Sequence, residues 1–318
     1  MKTRRRHILF IAMISAAVVM LAPYLIPLPA LELKDADTLA GPAGRFITVN
    51  GIRSYIEEAG PPGGPAVLLI HGMGGSTFAW RYTLPALAQN GYHAVAIDQT
   101  GLGLSDKQGV ADYSHPAYAE TVVRIMDTLG IPRAAVVGHS MGANVAAHLA
   151  LSHPGRVEKL VIVDGYFVQK RLAVSRITDT MLRFPPFQRW ARLALRTLLR
   201  PDNVARILRS AYADPALVTR EVVHGYARPL HTAGWDQSVL EIFRDLGRSV
   251  LPAPLSSIKA PTLVIWGEDD RWVPLRKGKE FQQQFTGAEL AVIPRAGHMP
   301  AEERPEVFNE RLIGFLGG

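Results

Sequence analysis

Residues Val137–Ala146 read VGHSMGANVA, a serine held between two glycines. The run leading in, Ala134–Gly138, is short, apolar and β-branched, which predicts a buried strand. The residues after the serine, MGANVAAHLALSH, are rich in Ala and Leu and contain no proline, which predicts a helix. Ser140 therefore falls on the tight turn between strand and helix. Gly138 and Gly142 carry no Cβ, so the turn can close and the helix can approach the strand. A G-x-S-x-G pattern in this setting presents a serine hydroxyl at the end of a strand.

Similar segments alternate on both sides of this elbow. Two alternating runs surround Asn50-Gly51, a strong hairpin signal. AVLLIHG from Ala66, HAVAID from His93, KLVIVDG from Lys159, PTLVIWG from Pro261 and ELAVIP from Glu289 read as further strands. Helices are predicted around Phe78–Gln89, from His115 to a stop at Gly130, and from Pro305 to the terminal glycines. Strands alternating with helices imply a mostly parallel sheet covered on both faces, with the leading hairpin antiparallel at one edge. The alternation breaks once. Between Gly165 and Pro261 the strand signals vanish and segments such as MLRFPPFQRWARLALRTLLR predict several inserted helices.

With 48% apolar and 20% charged residues, an ordinary packed core is expected. The absence of cysteine excludes disulfides, thiolate catalysis and Cys-ligated metal. The net charge of +7 is uneven: residues 1–30 carry +4 and residues 166–256 carry +7, while the remaining two stretches are slightly acidic. No module that interleaves basic and aromatic residues accompanies it, so no nucleic-acid partner is expected.

The N-terminus, residues 1–30, opens with Lys2 and Arg4–Arg6 and continues as an uncharged apolar run from Ile8 to about Leu28. That length suits a helix that spans a bilayer once, which needs about 20 residues. Pro23 would be expected to end the regular helix and leave a shorter core, as in a cleaved signal peptide. A small-x-small cleavage site is lacking, and a retained membrane anchor is the preferred reading. Either way the basic end stays in the cytoplasm and the rest lies outside. Arg4–Arg6 also hint at a twin-Arg signal, although His7 stands where an aromatic residue is usual. Residues 31–45 read as a mobile linker.

A serine hydroxyl needs a base, and the base needs an orienting acid. His298, between the last strand and the last helix, lies at the sheet edge where open α/β sheets bind ligands. It is the candidate base. His139, His71, His148 and His153 are less suitably placed, while His224 and His231 lie in the inserted region and could touch substrate. The acid lies in WGEDDRWVP, as Asp269 or Asp270, with Asp164 a further candidate at the end of an earlier strand. Oxyanion stabilisation needs preorganised N–H donors. The backbone of Met141, directly after the serine, and of Met73, within HGMGG, are the candidates.

HGMGGS, DQTGLGLSD, GHSMGA, WGEDDRWVP and AGHMPAEERPE follow one another in an order and spacing that resembles the α/β-hydrolase fold superfamily over about residues 45–318. The resemblance is to the branch that holds small-molecule esterases, carbon–carbon bond hydrolases and cofactor-free haloperoxidases. It implies a mostly parallel eight-stranded sheet with helices on both faces. The core would be 46–165 with 257–318, and a helical lid, 166–256, would be inserted between strands six and seven. The family pattern selects Asp270 over Asp269. Haloalkane dehalogenases and epoxide hydrolases are similar around STFAWRYTLPAL, but their nucleophile is aspartate, and position 140 is serine.

The expected function is hydrolysis of ester-like bonds in a hydrophobic small substrate through an acyl-enzyme on Ser140, without metal or organic cofactor. Cleavage of a carbon–carbon bond in a vinylogous diketone, and non-catalytic ligand binding, are the alternatives. The spacing of Arg189, Arg192, Arg196 and Arg200 makes one helical face basic, which suggests a solvated face or a contact with anionic lipid. Oligomeric state and acyl preference are not encoded in any recognisable motif.

Overall fold

The computed structural model describes residues 2–29, 32–107, 109–169 and 180–318. Eight strands form one sheet in the order β1-β2-β4-β3-β5-β6-β7-β8. β1 (Gly44–Val49) and β2 (Ile52–Ala59) form the leading hairpin, turning at Asn50 and Gly51, both with positive φ. β2 also runs antiparallel to β4 (His93–Ile97). From β4 onward β3 (Ala66–Ile70), β5 (Ala134–His139), β6 (Val157–Val163), β7 (Thr262–Gly267) and β8 (Glu289–Ile293) pair in parallel. β3, β5, β6 and β7 are apolar on both faces because helices cover both sides.

One face packs against α4 (His115–Thr128) and α5 (Met141–Ser152), with Phe285 and Trp266 in the same cluster. The other packs against α3 (Thr83–Gln89) and the C-terminal helix Pro305–Gly317, centred on Trp80, Leu87 and Phe308. Each Val, Leu or Ile buried this way stabilises the fold by about 1.5–3 kcal/mol. The helix expected around Phe78–Gln89 is two pieces: a single 3-10 turn, Thr77–Trp80, capped by Ser76, and then α3.

Between β6 and β7 the described residues form a helical layer: α6 (Pro185–Leu198), α7 (Pro201–Ala211), α8 (Arg220–Ala227) and α9 (Trp235–Asp245). It has its own small core of Val204, Leu208, Tyr212, Val222 and Tyr226, into which Met299 inserts. Residues 170–179, part of the expected inserted region, lie outside the described residues.

The N-terminal helix α1 spans Lys2–Leu25 and continues through Pro23, the longer of the two extents the sequence allowed. Its large apolar side chains face outward: Ile8, Phe10 and Ile11 are each about 60% exposed. The stretch expected to be a mobile linker has fixed partners. It contains the short helix α2 (Ala36–Leu39), capped by the Asp35 carboxylate. Lys34 N–H donates to the His231 carbonyl at 2.8 Å, and His231 Nδ1 donates to the Glu32 carbonyl at 2.8 Å.

The elbow depends on its two glycines. A Cβ on Gly138 would lie 2.3 Å from the Gly142 carbonyl oxygen, and one on Gly142 would lie 2.3 Å from that of Ile70. Gly142→Ala is therefore expected to destabilise the fold by about 1–3 kcal/mol through overpacking. Chemical denaturation should register this as a lower midpoint with an unchanged slope.

Candidate active site

Ser140 sits at φ 52° and ψ −114°, a conformation that a residue with a side chain adopts at a cost of about 1–3 kcal/mol. Its neighbours hold it there. Ser140 N–H donates to Val163 O at 2.9 Å, and its carbonyl accepts from Ala143 and Tyr166. The turn lifts the hydroxyl out of the sheet toward the loop after β8. There Ser140 Oγ–H donates to His298 Nε2 at 3.0 Å, and His298 Nδ1–H donates to Asp270 Oδ2 at 2.8 Å. These partners assign the tautomer. The other oxygen of Asp270 accepts the backbone N–H groups of Trp272 and Val273 at 2.8 and 2.9 Å. Burial works to raise the Asp270 carboxyl, but the hydrogen bond and charge of His298, with the backbone donors, hold it below the usual carboxylate range. Such a chain can draw the serine proton onto the imidazole as the oxygen attacks an electrophilic carbon.

Of the acids considered, Asp270 reaches His298. Asp269 is exposed, and its backbone is tied to Ala296. Asp164, the further candidate, does not bond to His298 and is completely buried beside the pair. Carboxylate oxygens of Asp164 and Asp270 and a ring nitrogen of His298 lie within 4.8 Å of one another. Asp164 Oδ1 accepts Gly267 N–H at 2.9 Å, and Oδ2 has no protein donor. Burial, and then the charge of Asp270, push the Asp164 carboxyl well above its ordinary range. Neutral Asp164 can donate its proton toward Asp270.

Met141 heads α5 directly after the serine and is buried. Met73 follows Gly72, whose backbone runs so close to the serine that a Cβ there would lie 2.9 Å from Ser140 Cβ. The loop is held from behind by His71, whose Nδ1 donates to Gly72 O at 2.7 Å and whose Nε2 accepts from Gln99 N–H. Burial keeps His71 neutral, lowering it to about 4. His139 also has a fixed partner: its Nε2–H donates to the His298 carbonyl at 2.7 Å, and burial with the adjacent His298 lowers it to about 3.

Two acids that the sequence analysis left without a role brace the His298 loop. Glu303 Oε1 accepts the N–H groups of Gly297 and Met299, and its Oε2 accepts Ala213 N–H, just beyond α7. His298 N–H itself donates to Ala211 O at 2.8 Å. Glu302 is buried among Arg81, Tyr212 and Tyr226 and bonds to all three. The doublet in AEERPE was the visible signal, but its distant partners, Arg81, Tyr212, Ala213 and Tyr226, have no signature in the chain.

A cavity of about 440 Å³ opens over Ser140 and His298. Met73, Leu195, Leu199, Leu208, Phe243 and Trp272 form much of its wall, and no Lys, Arg, Asp or Glu is among the described residues that line it. His224 and His231, considered as substrate contacts, are not among them either. His224 is exposed, and His231 is turned toward Glu32. The basic stripe on α6 is largely engaged within the protein: Arg192 and Arg196 pair with buried Asp236, and Arg189 and Arg196 donate to backbone carbonyls of the N-terminal segment.

The family model for the alpha/beta hydrolase fold matches residues 65–305. The chain belongs to this family. It is 30% identical over 275 residues to the "Uncharacterized hydrolase YugF" of Bacillus subtilis (strain 168), covering 86% of this chain and 98% of that protein. It is 32% identical to a "2-hydroxy-6-oxononadienedioate/2-hydroxy-6-oxononatrienedioate hydrolase" of Paraburkholderia phymatum, covering 84% of this chain and 91% of that protein. Among solved structures it is similar to a membrane phospholipase A described as a bacterial virulence factor. That match has 25% identity, a TM-score of 0.69, and covers 100% of this chain and 99% of the other. These relatives support hydrolysis as the class of reaction.

Asp164→Asn keeps a donor toward Asp270 and should retain most of the activity, whereas Asp164→Leu, which removes it, should lower kcat. The proton also leaves a mark on stability. Because the folded-state pKa of Asp164 is raised, its contribution is fully present below the unfolded-state value of about 3.9. It is lost as pH rises from there toward the folded-state value. Melting temperatures of wild type and Asp164→Asn from pH 4 to 7 should therefore diverge, with the variant gaining relative to wild type as pH rises.

Proposed function

We propose that this protein is a carboxylic ester hydrolase for substrates with an apolar acyl chain. Ser140 is the nucleophile, His298 the proton shuttle and Asp270 the acid that orients and supports the imidazolium. The backbone N–H groups of Met141 and Met73 receive the oxyanion. The serine attacks the ester carbonyl while His298 takes its proton, and the alcohol departs with that proton. Water activated by the same imidazole then releases the acid. The observation that carries this reading is the cavity: its wall is aliphatic and aromatic up to the reacting hydroxyl, so burying an acyl chain there is favoured by roughly 0.8 kcal/mol per methylene.

Carbon–carbon bond cleavage is the second reading, favoured by the relatives named as dienedioate and trienedioate hydrolases. A dioate brings two carboxylates, and burying an unpaired carboxylate is costly. The described cavity wall offers no cation, which weighs toward the ester.

The exposed helix α1 is proposed as a membrane anchor, with residues 166–256 as a cap over the site. Arg6–Leu25 gives 20 residues of mean hydropathy 2.4, near the bilayer-spanning length. The similar membrane phospholipase A aligns over the whole of this chain, α1 included.

p-Nitrophenyl esters of increasing chain length, assayed beside a vinylogous dioate, separate the readings. The ester reading expects kcat/KM to rise from acetate to medium-chain acyl groups, with no turnover of the dioate. Faster turnover of the dioate would overturn it. A fluorophosphonate probe should label wild type and leave Ser140→Ala unlabelled, with activity of that variant down by about 10⁴-fold or more. Absence of labelling in wild type would point to a ligand-binding protein instead.

A further inference from the structure

Two carbonyls of α1 lack the donor four residues on that a continuous helix would supply. Pro23 has no N–H, so the carbonyl of Val19, four residues earlier, loses the bond that a continuous helix would give it. The residue four beyond Pro23 is Pro27, which likewise has none to offer the Pro23 carbonyl. Both oxygens are met by adjacent residues of α6. Trp190 Nε1–H donates to Val19 O at 2.9 Å, and Arg189 Nε–H donates to Pro23 O at 3.0 Å. A second nitrogen of Arg189 reaches Ile26 O at 3.2 Å, and Arg196 reaches Pro29 O at 3.2 Å.

The same stripe ties α6 to α9: Arg192 and Arg196 bond to Asp236 at 2.9 and 2.7 Å. Farther along, Leu195 and Leu199 enter the cavity wall near Ser140. The N-terminal helix is thus joined to the substrate cavity through a single intervening helix. The joint uses backbone acceptors that exist because of the Pro23 and Pro27 spacing. Four bonds from side-chain donors to fixed backbone carbonyls favour one docking position over a loose association.

We propose that α1 remains part of the folded enzyme as a clamp on α6, with the proline-freed carbonyls of Val19 and Pro23 keyed to Trp190 and Arg189, and that it thereby sets the position of the cavity wall at Leu195 and Leu199. α1 is then more than a tether or a removable leader: the binding site is built against it. The clamp is a property of the fold and holds whichever bond the enzyme cleaves, so its primary readout is amide exchange rather than turnover.

The test is a double-mutant cycle in the full-length protein in detergent micelles. Trp190→Phe removes the donor and leaves Val19 O unmet. Exchange across 185–198 should accelerate by about three- to tenfold, the factor that one net hydrogen bond is worth, while β5 amides stay unchanged as the control for folding. Pro23→Ala restores an N–H to Val19 O, so adding Trp190→Phe in that background should accelerate exchange by less than twofold. In parallel, KM for a long-chain ester should rise in Trp190→Phe and KM for the acetyl ester should not.

Unchanged exchange in Trp190→Phe, or equal acceleration in both backgrounds, would overturn the proposal, because ring packing rather than the carbonyl would then be responsible. Recovery of a mature chain lacking residues 1–29, by intact mass, would overturn it too. Should the Trp190 variant fail to fold, Arg189→Gln reads the Pro23 and Ile26 acceptors by the same exchange measurement, with acceleration of α6 expected and its absence decisive against the clamp.

Discussion

The architecture of the site follows from a backbone that is bent where it would not bend by choice. Ser140 occupies a left-handed φ because β5 ends between β3 and β6 while α5 must begin within contact of Ile70 O. The only residues at 138 and 142 that leave room for this are glycines. The strain persists because three backbone hydrogen bonds and two neighbouring strands over-determine it. One consequence is position, since the hydroxyl stands clear of the sheet. Another is that the backbone of Gly72–Met73 and the N-terminus of α5 pass close by. The serine hydroxyl and the backbone proposed to receive an oxyanion are thus set by the same few ångströms of packing.

Around this point the protein surrounds reactive groups with buried acids in unlike states. Asp270 is held ionised by His298 and two backbone donors. Asp164, a neighbour with one oxygen unmet, is held protonated by burial and by the negative charge of Asp270. Two carboxyls sharing a dry site cannot both ionise cheaply. The division of roles between them follows from which one faces the imidazole.

The sheet was legible because its inner strands are covered on both faces. AVLLI, AAVVG, LVIV and TLVIW are apolar without alternation, and such runs can be read one segment at a time. Ser140, His298 and the Gly-rich loop at Met73 were legible for a related reason: each sits at a strand end, and strand ends converge. Asp270 needed the family spacing to be separated from Asp269, since nothing local distinguishes two adjacent acids. What could not be read was pairing across distance. That Asp164 lies beside Asp270, that Glu303 binds backbone of both the His298 loop and Ala213, and that Arg189 and Arg196 meet backbone carbonyls of the N-terminal segment all depend on how the helical layer settles. Helix amphipathicity reports which face is polar, not which partner that face meets. Whether the helix ends at Pro23 was open in the sequence because a helix can tolerate proline when a neighbour takes up the freed carbonyl, and Trp190 lies 167 positions later in the chain.

The bond from His298 N–H to Ala211 O, seconded by Glu303 on Ala213, has a mechanical corollary. Any motion that parts α7 from the core at that end drags the imidazole out of line with the hydroxyl, and it uncovers Glu302 and its two tyrosines besides. The end of α7 nearest the histidine is thereby the fixed end of the helical layer, held to the loop that carries the imidazole. Alignment of the hydroxyl and the imidazole therefore depends on how this end of the helical layer is seated.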